Sequence, residues 1–390
     1  MTNTQTCKFP IELLDASAEK RIDHFLRSKI EHANLKRSFD QAMAAINSAC
    51  SPKVVIVTGP TGVGKTTLAR WIYKTLVHQY HDLIEQDPGT VPVTGFNAIP
   101  PNGNSFNWKD FYIRLLERHG DVLLDRKMLM PRQHDLFEGM TAPLPIERST
   151  TEALRRAAER CMKFRKTKVL IIDEAHHILM VNDPKRLEFQ FEALKSLTIE
   201  SEVVIVLVGT YRLLNIRDQS GQLVRRSEII HFPRYNLVSN EDSKDFIDAL
   251  RKLQEQLPLP VPPMLTANAR HFFNKSGGSI GILKDWLSKC LENAILLDMK
   301  TFDAEFANKY APTNKSLITI LDEAIEGELR LEDASLEEVQ KLLYRVAGKA
   351  LVSQASPKNQ SKKQTEQKHV KKVGERKPAR DKTGVDHEKH

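Results

Sequence analysis

The chain has 390 residues, 41% of them hydrophobic, which suffices for two or three domains with real cores, and a formal charge of +8. No apolar run approaches the roughly 20 residues of a membrane span, and the opening MTNTQTCKFPIELLDASAEKR lacks an apolar signal-peptide core, which speaks against spanning and secreted classes. Four scattered cysteines (Cys7, Cys50, Cys161 and Cys290) form no C-x-x-C pair, which argues against zinc and against a disulfide framework and suits a reducing cytoplasm.

Residues 1–50 read as a helical lead-in. Ile30 to Ala49 place Leu35, Phe39, Met43, Ala44 and Ile46 on one stripe, and Ser51-Pro52 ends the helix. Val54 to Thr58 (VVIVT) predicts a buried parallel strand, and Leu68 to Val77 a helix. Between them residues 59–66 read GPTGVGKT, which fits G-x-x-x-x-G-K-[ST]. A strand-to-helix turn is the context that makes this pattern a phosphate-binding loop. Gly59, Gly62 and Gly64 let backbone N–H groups close around phosphate oxygens, and the following helix points its positive end at them. Pro60, Thr61, Val63 and Thr67 complete the turn. Lys65 is placed to reach the β- and γ-phosphates of ATP, and Thr66 to offer a hydroxyl to Mg²⁺.

Val91 to Ile99 predicts a second strand, and Asn107 to His119 a helix stopped by Gly120. Residues 121–150, with Pro131, Pro143 and Pro145, read as an irregular insertion. Ser149 or Thr150 caps a helix through Phe164. Val169 to Ile172, Val203 to Val208 and Ile229 to Phe232 predict three further strands, nearly continuously apolar as parallel strands covered on both faces must be. The core thus spans residues 51–238, and residues 239–311 form a small α-helical lid with helices over Glu241–Gln256, Leu265–Ser276 and Ile280–Leu297. Residues 312–352 read as a C-terminal helical segment, with helices over Ser316–Ile325 and Leu336–Ala350. Ser353 to His390 is polar and predicted disordered. It holds 11 Lys/Arg against 5 Asp/Glu, net +6, leaving about +2 on the rest. Such a tail either contacts a polyanion or serves as a solvated end.

Hydrolysis needs a carboxylate to orient Mg²⁺ and a group that activates water. Asp173 and Glu174, at the end of a buried apolar strand about 110 residues beyond the loop, supply both: Asp173 for Mg²⁺, Glu174 for water. Thr210, at the tip of the next strand, is placed to hold the attacking water, or else makes a local hydrogen bond. Arg225 and Arg226 suit the charge that develops on a transferring phosphoryl group, especially from a neighbouring subunit. Asp173-Glu174-Ala175-His176 also spells the DEAH signature of superfamily 2 helicases, but residues 240–390 offer no second nucleotide fold. His176 and His177, as adjacent residues, are a poor pair for one metal ion.

Together these residues resemble an AAA+ ATPase, a RecA-like parallel-sheet core followed by a helical lid. GPTGVGKT, VLIIDEAHH, VVIVLVGT, RDQSGQLVRR and a lid segment GGSIGILKDWL occur in that order. More narrowly the chain is similar to TniB/TnsC/MuB-type DNA transposition ATPases, most specifically from Gly209-Thr210 through Asp218, Gln222-Leu223 and Arg226. That resemblance implies ATP bound between subunits, rings or helical filaments on duplex DNA, and a transposase recruited at the target, with a target-selector protein upstream. It implies a cytoplasmic bacterial protein that joins the nucleoid when on DNA. Arg226 takes the place of the group's trans-acting arginine, with Arg225 second. The lid's nucleotide-sensing arginine in G-x-x-R is replaced by glycine in Gly278-Ser279-Ile280-Gly281, with Lys284 in the alternative register. Lys109 and Arg114, or Lys185 and Arg186, are candidate DNA-phosphate contacts, each also readable as a solvated charge. Another AAA+ DNA-transaction protein such as a helicase loader or replication initiator, and an ATP-gated scaffold, are the alternatives.

Overall fold

The computed structural model describes residues 8–48, 54–101, 103, 105–120, 150–180, 184–215 and 227–344, without the side chains of 184–189. Five short strands build the centre: β1 (Val54–Thr58), β2 (Val93–Asn97), β3 (Val169–Asp173), β4 (Val204–Gly209) and β5 (Ser227–His231). They form one sheet in the order β2-β3-β4-β1-β5, and every pairing is parallel. β4 therefore lies between the loop-bearing strand β1 and the carboxylate-bearing strand β3. The strand bounds match the apolar runs to within two residues, because a strand covered on both faces has no polar side to interrupt its run.

Alternation along each strand divides the core. Ile56, Leu170, Ile172, Ile205 and Leu207 face one side with α5 (Trp108–Arg118), α6 (Thr151–Phe164) and α7 (Pro184–Ser201). Val55, Val57, Ile171, Val206 and Val208 face the other with α2 (Ala33–Asn47) and α3 (Lys65–Gln79). Caps set the helix starts: Asn107 accepts from the N–H of Asp110, and Thr150 from that of Ala153. A short α4 (His81–Gln86) follows α3.

A second core holds the lid, made of α8 (Asn240–Gln254), α9 (Ala269–Ser276), α10 (Ile280–Leu296) and α11 (Ala304–Asn308) around Trp286, Phe272, Phe246 and Leu283. The N-terminal lead-in is divided between the two cores. α1 (Ala18–Arg27) sends the fully buried Phe25 into the lid core, whereas α2 packs on the sheet. The C-terminal segment is divided too. α12 (Asn314–Leu329) folds with the body of the chain, and a separate short unit begins at Asp333 with a helix over 336–344. The predicted insertion at 121–149 and the basic tail lie outside the described residues. No helix among the described residues is long and apolar enough to cross a membrane.

Candidate nucleotide site

The loop after β1 is held by close backbone packing. A side chain on Gly59 would put its Cβ 2.2 Å from the carbonyl oxygen of Phe232, whose N–H bonds to Thr58 O at 2.8 Å. Gly62 and Gly64 take φ of +82° and +106°, a region that favours glycine, and Gly64 is the N-terminal cap of α3. The first helical residue is Lys65, and its ammonium folds back over the loop, donating to Gly59 O at 3.0 Å and Pro60 O at 2.7 Å. Burial lowers the Lys65 pKa to about 8, against the opposing pull of Glu174, Asp173 and Glu323. The cation thus sits in a dry cradle of glycine backbone, facing carboxylates from β3 and from α12.

Asp173 ends β3 and is 7% exposed. Its Oδ1 accepts the N–H of Glu174 at 2.9 Å. Thr66 and Asp173 line one cavity of about 840 Å³, together with Arg70, Asn97 and Arg114. The two expected Mg²⁺ ligands therefore share a solvent-reaching space, and a hydroxyl and a carboxylate are hard oxygen donors of the type this ion takes. Asn97, which pairs with Asp173 across the β2–β3 register, was not singled out by sequence; a polar residue closing an apolar strand was the available signal.

Thr210 follows β4 and so emerges between the loop and Asp173-Glu174. Its Oγ1 is buried without a hydrogen-bond partner among the described residues, so the alternative of a local hydrogen bond is not met among them. Glu174 adopts φ of +53°, rare for a residue with a side chain. The chain then turns into a 3-10 segment, Ala175–Leu179, which folds His176 back until its Nδ1 lies 3.3 Å from Glu174 Oε2. Burial lowers the His176 pKa to about 4, helped by His177, Arg212 and Lys65. Ligand atoms of Glu174, His176 and His177, the last two read from sequence as a poor pair for one metal ion, all lie within 4.8 Å of one another. The tight turn after β3 brings them together.

The lid meets the loop backbone to backbone. Gly281 N–H donates to Gly62 O at 2.6 Å, and a Cβ on Gly281 would stand 2.3 Å from that oxygen. Lys284 is a correction. Its ammonium donates to the carbonyls of Leu26 and Ser28 at 2.7 and 2.6 Å and lies over the Phe25 ring, so it ties α10 to α1 rather than reaching the loop.

Of the candidate DNA contacts, Lys109 and Arg114 sit on α5, where Arg114 is paired with Asp110 at 2.7 Å. Lys185 and Arg186 lie in the first turn of α7, their side chains outside the described residues. Arg225 and Arg226 also lie outside them.

The parallel sheet in the order β2-β3-β4-β1-β5, with the phosphate-binding loop after β1 and the carboxylates at the end of β3, is the architecture of a P-loop nucleotide-binding fold. Residues 50–216 match the family model described as AAA domain. Among curated proteins no match is found. Among solved structures the chain is similar to ORC2 of Aeropyrum pernix in its ADPNP–ADP complexes, at 14% identity over 76% of this chain and 73% of that one, TM-score 0.48. It is similar to Drosophila ORC bound to DNA at 12% identity over 90% and 89%, TM-score 0.47. It is similar to a Thermotoga maritima RuvB mutant at 16% identity over 72% and 70%, TM-score 0.39. These are loose likenesses of fold.

Proposed function

We propose that this chain is an ATP-hydrolysing switch that assembles with copies of itself on duplex DNA, marks a transposition target and recruits or activates a transposase there. One observation carries the ATPase reading. Lys65, Asp173, Glu174 and the partnerless Thr210 hydroxyl converge from three adjacent strand tips. A buried hydroxyl without a partner costs about 1–3 kcal/mol. A polar group of a bound triphosphate, or the water that attacks it, would remove that cost.

In this reading Glu174 accepts the proton of the attacking water as its oxygen bonds to the γ-phosphorus. The bond to the bridging oxygen breaks, and ADP keeps the electron pair. Lys65 and the loop N–H groups meet the phosphate charge, and Thr210 holds the water. Mg²⁺, when held by Thr66 and Asp173, would neutralise phosphate oxygens. Arg226, with Arg225 beside it, is assigned to a neighbour's site.

The DNA and transposase half is supported by the residue resemblance from Gly209-Thr210 through Asp218, Gln222-Leu223 and Arg226, and by the lid segment GGSIGILKDWL. Steady-state hydrolysis with and without duplex DNA, paired with electron microscopy in a slowly hydrolysed ATP analogue, tests the whole. DNA-stimulated turnover and DNA-bound rings or filaments are expected. A lone subunit in the presence of nucleotide and DNA would overturn the reading. A scaffold reading has one observation in its favour: Leu336, Val339, Leu342 and Leu343 are all exposed at helical spacing on 336–344. Binding of a peptide covering Leu336 to His390 to the transposase, with hydrolysis insensitive to DNA, would favour it.

A further inference from the structure

His176 lies beside the carboxylate of Glu174, and three observations bear on it. Its Nδ1 is buried, lacks a well-aligned hydrogen bond among the described residues, and lies 3.3 Å from Glu174 Oε2. The end of β4 is shaped around it. A Cβ on Gly209 would stand 3.0 Å from Leu213 Cδ1, 3.2 Å from the His176 backbone N and 3.3 Å from Nδ1, tighter than ordinary contact, so glycine there makes room for both side chains. The other ring in reach, His177, packs against His176 with centroids 4.2 Å apart and has its own Nδ1 3.2 Å from the Met180 sulfur. A carboxylate only accepts hydrogen bonds, so a neutral imidazole facing it carries its proton on Nδ1. Burial and the surrounding cations keep this ring neutral.

We infer that His176 is a positioning residue for hydrolysis: its Nδ1–H holds one oxygen of Glu174, leaving the other aimed at the attacking water. The carboxylate needs such a guide. It stands on a left-handed backbone turn and is half-exposed, with rotamer freedom that would scatter its aim. The ring is wedged against β4, the strand that also carries Thr210, so the base and the water-holding hydroxyl are referenced to the same element.

This inference rests on the proposed role of Glu174, and the test separates the two. Turnover and KM for Mg-ATP are measured for wild type, His176→Ala, His176→Asn and Glu174→Gln, with binding of a fluorescent ATP analogue and thermal melting alongside. The Asn side chain places an N–H donor close to where Nδ1 stood. For His176→Ala, kcat falls about 10- to 100-fold while KM and analogue affinity stay within about twofold, and His176→Asn regains most of the loss. His176→Ala turning over at the wild-type rate, a loss shared equally by affinity and melting temperature, or Asn no better than Ala, each overturns the inference. Unchanged turnover in Glu174→Gln overturns the role of Glu174 itself and the inference with it.

Discussion

At the scale of single residues, Thr210 shows how function and stability pull apart. Its hydroxyl is buried and partnerless among the described residues while its backbone is extended, a conformation valine adopts freely. Thr210→Val should therefore stabilise the nucleotide-free protein by about 1 kcal/mol, read as a raised melting temperature, while cutting ATP turnover at least tenfold. A variant less stable than wild type would show that the hydroxyl is satisfied after all. Glu174→Gln is the complementary case: analogue binding should persist while hydrolysis drops by about two orders of magnitude. The residues of this site that sequence made legible are those whose chemistry is tied to a local pattern. Lys65 and Thr66 follow a glycine turn, and Asp173 and Glu174 close an apolar run. Asn97 and His176 escaped because their roles depend on strand register and on a turn, which spacing along the chain does not encode. Lys284 was misplaced for the same reason, since its partners, the carbonyls of Leu26 and Ser28, lie more than 250 positions away.

At the scale of elements, two contacts merit tests. The first is the N-terminus of α2, where His32 is the cap. Its buried Nδ1 accepts from the N–H of Leu35 at 3.4 Å and from the hydroxyl of Tyr235 at 3.0 Å. Burial, with Lys252 adding to it, lowers the His32 pKa to about 4. The unfolded chain takes up a proton near pH 6.5 that the folded ring refuses until about pH 4. The stabilisation is therefore whole above pH 6.5 and lost as pH falls between those values, reaching roughly 2 kcal/mol by pH 5. His32→Asn keeps a capping oxygen and removes the titration. Urea unfolding at pH 7.5 and pH 5 should show a smaller acid loss in the variant than in wild type. The second contact joins the lid to the loop. Gly281→Ala drives a methyl into Gly62 O, and a cost of about 1–3 kcal/mol is expected. Faster hydrogen exchange at the loop, with lowered melting, checks it. Helix α7 escaped the sequence reading although it is 18 residues long. It buries Gln190, Thr198 and Ser201 along with Phe191, Leu194 and Leu197, and that mixture blurs the apolar stripe that marks α3 and α5.

At the scale of the whole molecule, the boundary that matters falls later than the change in pattern suggested. α12 belongs to the body. Arg234 holds Glu328 with both guanidinium arms at 2.8 and 2.9 Å, Arg330 donates to Asn215, and Leu317 and Leu321 lie over Gly277. Bidentate pairing of this kind, half shielded from water, is worth more than a surface ion pair. A chain ending at residue 332 should melt within about 2 °C of the full protein, whereas one ending at 311 should lose several degrees. Equal melting of both would remove α12 from the body. The resemblance that makes residues 312–352 look like one appendage comes from their shared helical spacing, which does not say where a helix docks.

The closest packing on α12 is at Gly327, where any Cβ would overlap the ring of Tyr211. Tyr211 is the residue after Thr210, and Glu323 lies one helical turn earlier, within electrostatic reach of Lys65. In the proposed reading, a triphosphate on Lys65 and Thr210 would lie beside the neighbours of both ends of this single turn. A dye attached near residue 326 tests that proximity: emission that changes on adding ATP is expected, and emission indifferent to ATP would separate α12 from the site.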